Sequence, residues 1–127
     1  MLSVQSVPEA SINGVVITFK GDMTGTTADQ LATELKKIAD TKPANAVLDL
    51  AGLTMMDSRS IGLLTAFRST LARANGGRAR VMAASASPMI EKAMRITRMN
   101  ELFPLHLSVA EAVRAIGEGE QAPAGRR

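Results

Sequence analysis

The stretch Val47-Leu48-Asp49-Leu50-Ala51-Gly52-Leu53-Thr54-Met55-Met56-Asp57-Ser58-Arg59-Ser60-Ile61-Gly62 decides the fold. Its apolar run breaks at Asp57-Ser58, and an amphipathic helical pattern follows at once through Ile61, Leu64, Phe67 and Leu71. A buried strand segment therefore hands over to a helix, with a serine at the junction. Such a junction has unpaired backbone N–H groups and the positive end of a helix dipole. Ser58 can cap the helix there, and the site can also accommodate a phosphate. Asp57 can cap from one residue earlier. The Met55-Met56 pair reads as core.

Upstream of this stretch, Leu2-Ser3-Val4-Gln5-Ser6-Val7 alternates apolar and polar, as a half-buried strand does. Asn13-Gly14 is a turn signal, and the β-branched Val15-Val16-Ile17-Thr18-Phe19 reads as a second strand, completing an opening hairpin. Gly21-Asp22-Met23-Thr24-Gly25-Thr26-Thr27 reads as a polar loop. Thr26 or Thr27 can cap a helix whose apolar face is Leu31, Leu35 and Ile38. That helix stops at Thr41-Lys42-Pro43. Ala46-Val47-Leu48-Asp49-Leu50 is apolar enough to be buried on both faces, as strands of parallel sheets are.

Downstream, Asn75-Gly76-Gly77 is a helix stop, and Arg80-Val81-Met82-Ala83-Ala84 a shorter strand. Ser87-Pro88 starts a further helix with Ile90, Ala93, Met94 and Thr97 on one face. Leu102-Phe103-Pro104-Leu105 suggests a short final strand or an extended segment. Ser108-Val109-Ala110-Glu111 forms a capping box opening a last helix that buries Ala112, Val113 and Ile116. Strands alternating with helices after a hairpin define an α/β sandwich with a mixed sheet of four to five strands and about four helices. One domain is expected over residues 1–116. Residues 117–127, rich in Gly, Ala, Pro and charge, are expected to be a disordered tail.

Composition narrows the chemistry. The chain has 127 residues, 46% hydrophobic and 21% charged, which suits one globular domain. Cysteine is absent, so disulfides and thiolate metal sites are excluded and a cytoplasmic location is expected. His106 is the lone histidine, flanked by Leu105 and Leu107, and reads as a structural or surface residue. No histidine-rich metal site or Ser–His pair can be assembled, and no glycine-rich phosphate loop appears, so the expectation is no enzyme, no cofactor and no metal. The net charge is +3, but the arginines are scattered and aromatics are 2%, which argues against direct nucleic-acid binding. No apolar run reaches membrane-spanning length, and no signal-peptide pattern opens the chain, so direct membrane insertion is not expected.

The residues from 15 to 116 resemble the STAS domain family, and within it the bacterial anti-sigma factor antagonists. Gly21-Asp22-Met23-Thr24 is similar to the family's loop after the second strand, usually Gly-Glu-Leu-Asp. Asp57 through Gly62, with the strand before it, is similar to the Asp-Ser-Ser-Gly-Leu-Gly signature. Gly76-Gly77, Ser87-Pro88 and Asn100-Glu101-Leu102-Phe103-Pro104 resemble its downstream landmarks. The resemblance implies a STAS-like sandwich with Ser58 at a helix N-terminus.

The resemblance also implies that Ser58 is the phosphoacceptor of a kinase that is itself the anti-sigma factor. The unphosphorylated form would bind that kinase, phosphorylation would release it, and a phosphatase would reverse the change. Asp22 and Thr24 are placed beside Ser58, so the expected partner surface is Asp22, Thr24, Asp57, Ser58, Arg59 and Ser60. Two positions depart from the signature: Arg59 replaces the second hydroxyl residue and Ser60 the glycine. They favour an alternative, a STAS scaffold or accessory subunit of a membrane transporter that is never phosphorylated. A homodimer is left open.

Overall fold

The computed structural model describes residues 1–118. The strand β1 (Leu2–Glu9) turns through a 3-10 segment at Ala10–Ile12 and returns antiparallel as β2 (Gly14–Met23). Asn13 takes the left-handed conformation at that turn (φ 53°), one that Asn adopts readily. Then follow α1 (Ala28–Asp40), β3 (Asn45–Met56), α2 (Ser58–Ala74), β4 (Arg80–Ala84) and α3 (Pro88–Ile96). The short α4 (Met99–Leu102), β5 (Leu105–His106) and α5 (Val109–Gly117) complete the chain. Five strands form one mixed sheet in sequential order, and β2 to β5 are parallel.

That order explains the layering. Each parallel step adds its strand on the same side of the last, and right-handed crossovers then place every connecting helix on one face of the sheet. Leu31, Leu35 and Ile38 of α1, Ile61, Leu64, Phe67 and Leu71 of α2, and Ile90 and Met94 of α3 pack there. They meet Ile17, Phe19, Leu48 and Leu50 of the sheet. The opposite face is covered by α5, which seats Ala112, Ala115 and Ile116 against Val47, Met82 and Ala84. His106 belongs to this side, its Nε2 lying 3.0 Å from Met82 Sδ.

Along β3 the residues facing the larger core are Ala46, Leu48 and Leu50, with Val47 buried on the α5 side; that face then shifts to Leu53 and back to Met56. Two register shifts against β2 cause this: Leu50-Ala51 together oppose Phe19 alone, and Thr54 has no opposite residue. Each extra residue exchanges the two faces of the strand. Met55, expected in the core, is turned out and 53% exposed, because the two shifts together restore the original alternation, which keeps Met56 and not Met55 on the core side. Gly21 sits at the second shift with φ +101°, and a Cβ there would strike the Met1 carbonyl. Glycine is required at this position.

Other expectations need correction. Asp22 and Met23 belong to β2 rather than to a loop, because the bulges carry pairing through Met23–Met56. The short strand or extended segment expected at Leu102–Leu105 comprises the end of α4, the connecting Phe103-Pro104 and the start of β5, so of these residues only Leu105 is in a strand. Phe103 is fully buried on the α1–α3 side, so it reads as apolar strand while serving as a plug. Gly117 closes α5 rather than opening a tail. Residues 119–127 of the expected tail lie outside the described residues.

Phe19 has no exposed area at the centre of the sheet, whereas Val7 on the edge strand is 62% exposed. Phe19→Ala is expected to lower the unfolding free energy by about 3–5 kcal/mol, and Val7→Ala by less than about 0.5 kcal/mol. Denaturant titration measures both, and equal losses would contradict the assignment of the packed face.

Candidate functional site

The site is built where β2 and β3 end together. Met23 is opposite Met56, and the Asp57 amide donates to the Met23 carbonyl at 3.0 Å. The segments leaving the two strands therefore start side by side. After β2 the chain makes a 3-10 turn at Gly25–Thr27. Thr27 organises it: its hydroxyl donates to the Asp22 carbonyl (3.0 Å) and accepts from the Thr24 amide (3.0 Å). Thr24 and Thr26 join their hydroxyls at 2.8 Å on the exposed side. A run that reads from sequence as plain polar loop is thus a hydrogen-bonded shelf. Thr27 does not cap α1 through its side chain, because its hydroxyl is spent on the turn.

After β3 the helix α2 begins. Asp57 is its N-cap, with φ −106° and ψ 176°, and Oδ1 accepts from the Ser60 amide at 2.9 Å. Of the two capping candidates, aspartate rather than serine performs the task. Ser58 is the first helical residue, exposed, with its hydroxyl outside the cap. The first intrahelical bond runs from the Ile61 amide to the Asp57 carbonyl (3.0 Å). The Ser58 and Arg59 amides precede it, which leaves donors and the dipole end available to an anion at this surface.

The Asp57 carboxyl is held below its ordinary value, chiefly by the Ser60 amide, with smaller support from the Gly25 amide and the Arg59 charge. Ser60 itself is fully buried. Its hydroxyl lies near enough to Asp57 to favour the carboxylate but makes no well-formed hydrogen bond. Ser60 was expected on the partner surface, and burial corrects that: it shapes the helix start from beneath.

Arg59 is 64% exposed and extends toward α1, where Nη2 lies 3.7 Å from Asp29 Oδ1. Asp29 is the residue that sequence reading missed here. Its signal was an acid in the first turn of α1, where it also suits the helix dipole. Asp22 is half-buried, and its Oδ1 is 3.1 Å from the Met1 amino group. The structure thus brings Asp22, Thr24, Asp57, Ser58 and Arg59 to one end of the sheet. Among the described residues no group of three or more His, Asp or Glu side chains could hold a metal ion. No described helix is long and apolar enough to cross a membrane.

The family model of the STAS domain matches residues 3–112, and the chain belongs to that family. An anti-sigma factor antagonist from Mycobacterium paratuberculosis is similar in structure, with a TM-score of 0.77 at 19% identity. The alignment covers 91% of this chain and 94% of that one. SpoIIAA, an anti-sigma factor antagonist, gives 0.72 in its unphosphorylated form at 18% identity, covering 94% and 100%. The Bacillus SpoIIAA in its phosphorylated form gives 0.63 at 18% identity, covering 90% and 99%. A sulfate transporter family protein from Wolinella succinogenes gives 0.65 at 16% identity, covering 87% and 88%. None of the curated proteins matches the chain. At these identities the likeness is one of fold: a STAS domain resembling anti-sigma factor antagonists.

Because the Asp57 pKa is lowered on folding, its charged cap stabilises the protein above the unfolded carboxylate value of about 4. That contribution is lost as pH falls through the lower folded value. Asn caps nearly as well but does not titrate. The stability difference between wild type and Asp57→Asn is expected to be constant from pH 7 to 5. Below about pH 4 it should shift steadily against wild type. Urea unfolding across that range measures it, and parallel curves would show that Asp57 does not hold the cap.

Proposed function

We propose that this chain is a phosphorylation-switched interaction module of the anti-sigma factor antagonist type, with Ser58 as the phosphoacceptor. Unphosphorylated, it binds an anti-sigma factor that is also a serine kinase; phosphorylated, it lets go, and a phosphatase restores it. It acts by binding, in the cytoplasm, without catalysis or DNA contact of its own. The observation that carries this reading is the position of Ser58: exposed, first in a helix that another residue caps, and beside the threonine shelf. Its hydroxyl is not committed to holding the helix, so it is available for modification. Asp22, Thr24 and Arg59 supply the surrounding contact surface, and Asp57 fixes its geometry.

Phosphorylation adds about −1.5 to −2 charges. A helix N-terminus tolerates that, while a partner surface matched to a neutral hydroxyl does not. Ser58→Asp is therefore expected to keep the wild-type circular dichroism and melting temperature. Its affinity for the cognate anti-sigma kinase should fall at least about tenfold, or about 1.4 kcal/mol. Calorimetric titration reads the affinity, and mass mapping after incubation with kinase and ATP reads the site. Phosphate elsewhere, or none together with equal affinity of Ser58→Asp, would sink the switch. That outcome would favour the alternative, an unphosphorylated STAS scaffold or transporter accessory, which the likeness to the sulfate transporter family protein supports.

Arg59 tests the specificity of the same surface. Its ion pair with Asp29 is long and exposed on both sides, and such pairs contribute little. A cation in the first turn is also mildly unfavourable to the helix dipole. Arg59→Ser is thus expected to leave the melting temperature unchanged or slightly raised, while weakening the cognate kinase complex. A melting temperature lowered by several degrees with affinity intact would make Arg59 a structural residue.

A further inference from the structure

At the end of the sheet away from Ser58, the shortness of β5 leaves the first half of β4 without a neighbour on its outer side, opposite β3. Pairing with β5 begins at Ala83 opposite Leu105. The Ala83 and Ser85 amides donate to that side, to the Pro104 (2.9 Å) and His106 (3.1 Å) carbonyls. The Arg80 amide donates the other way, to Asn45 Oδ1 of β3 (3.1 Å). Alternation along the strand therefore directs the Val81 N–H to the β5 side, before β5 has begun. A cavity of about 160 Å³ occupies this place, lined in part by Arg68 of α2, Arg80, Val81, Glu101, Leu102 and Pro104.

The charges around it are unbalanced. Arg68 Nε is buried with no hydrogen-bond partner. Neither Arg68 nor Arg80 lies within ion-pair distance of a carboxylate among the described residues. Glu101, the acid on the rim, is 3.9 Å from Arg98. Arg80 turns its guanidinium toward the other face of the sheet, where Nη1 donates to the Ile116 carbonyl of α5 (3.2 Å), so Arg68 is the cation whose donor faces the cavity unpaired. A buried donor on a charged group is costly when unpaired, and native structures retain few. The volume corresponds to about five waters at roughly 30 Å³ each, room for a small anion but less than ligand-sized pockets offer.

We propose that this cavity, between α2 and the free edge of β4, binds a small oxyanion, a phosphate or a carboxylate group. Arg68 supplies the charge and forked donors, which suit oxyanions. The Val81 amide supplies a backbone donor. Arg68 is ten residues along α2 from Ser58, about 15 Å at the helical rise, so the site stands independently of the switch.

The test is a ¹⁵N NMR titration of the full chain with inorganic phosphate and, separately, acetate, with ionic strength held constant by chloride. The Arg68 Nε–H and Val81 amide signals are followed. Saturable shifts of both are expected for at least one anion, with a midpoint on the order of millimolar. Saturation by phosphate alone, acetate alone or both identifies the source of the oxyanion. Arg68→Gln should raise the midpoint about tenfold or abolish saturation. Should that variant fail to fold, Arg68→Lys keeps the charge, loses the Nε donor and is expected to weaken binding likewise. Linear shifts with both anions, or wild-type binding by the folded variant, would overturn the proposal.

Discussion

The 3.0 Å hydrogen bond from the Asp57 amide to the Met23 carbonyl is the contact on which the arrangement of the site depends. It closes the pairing of β2 with β3, and it exists only because β3 carries extra residues at two places. With the register that holds at Gly14–Asn45 continued unbroken, Met23 would face Thr54. Asp57 and Ser58 would then lie two residues farther past the end of β2, away from the threonine shelf. The bulges bring the two strand ends level, and an exposed serine is thereby set beside an ordered turn.

Once the strand ends are level, local chemistry fixes the rest. The Thr27 hydroxyl satisfies one backbone donor and one acceptor of the turn, so the shelf needs no contribution from a partner to hold its shape. Asp57 satisfies the Ser60 amide, so the first turn of α2 is formed before anything binds. A surface organised in advance loses less conformational freedom on association, which is how a modest contact area can bind tightly. The buried Ser60 hydroxyl is the one part of this arrangement with an energetic cost and no visible return. Glycine at that position would weaken the helix, whereas serine retains helix propensity at the expense of an unsatisfied hydroxyl.

Much of this was legible in the sequence. The strand–helix alternation, the apolar faces of α1 and α2, the Asn75-Gly76-Gly77 stop and the Ser87 and Ser108 caps all rest on local rules that tertiary structure did not override. The bulges were not legible, because Ala51 and Thr54 look like ordinary members of an apolar run and only pairing with β2 makes them extra. That omission accounts for reading Asp22-Met23 as loop, whereas Met55 was misplaced because an apolar residue on the outward side of the alternation was read as core. The choice between Asp57 and Ser58 as cap was a matter of one residue, at the limit of what helix-boundary signals resolve. Ser60 failed for a different reason. Its polarity suggests exposure, but its position, three residues past the cap, turns it inward with the same face as Leu64.

The magnitudes indicate where a charge at Ser58 could act. The helix dipole would favour an anion there by about 0.3–1 kcal/mol. Repulsion from the Asp57 carboxylate in near-aqueous surroundings would be of similar size, about 0.7 kcal/mol per charge at roughly 6 Å. Arg59, one residue on and well exposed, would offset part of that. These effects nearly cancel, and none touches the core. Solvent screens all of them in the free protein, but excludes little of the penalty once the same group is pressed against a partner, where an uncompensated charge loses its hydration. On the proposed function, the same added charge would therefore be almost neutral to folding and strongly unfavourable to association. The sign follows from where the residue sits: on the first turn of a helix that Asp57 already caps, outside both cores, and at the end of the two strands whose register sets the surface.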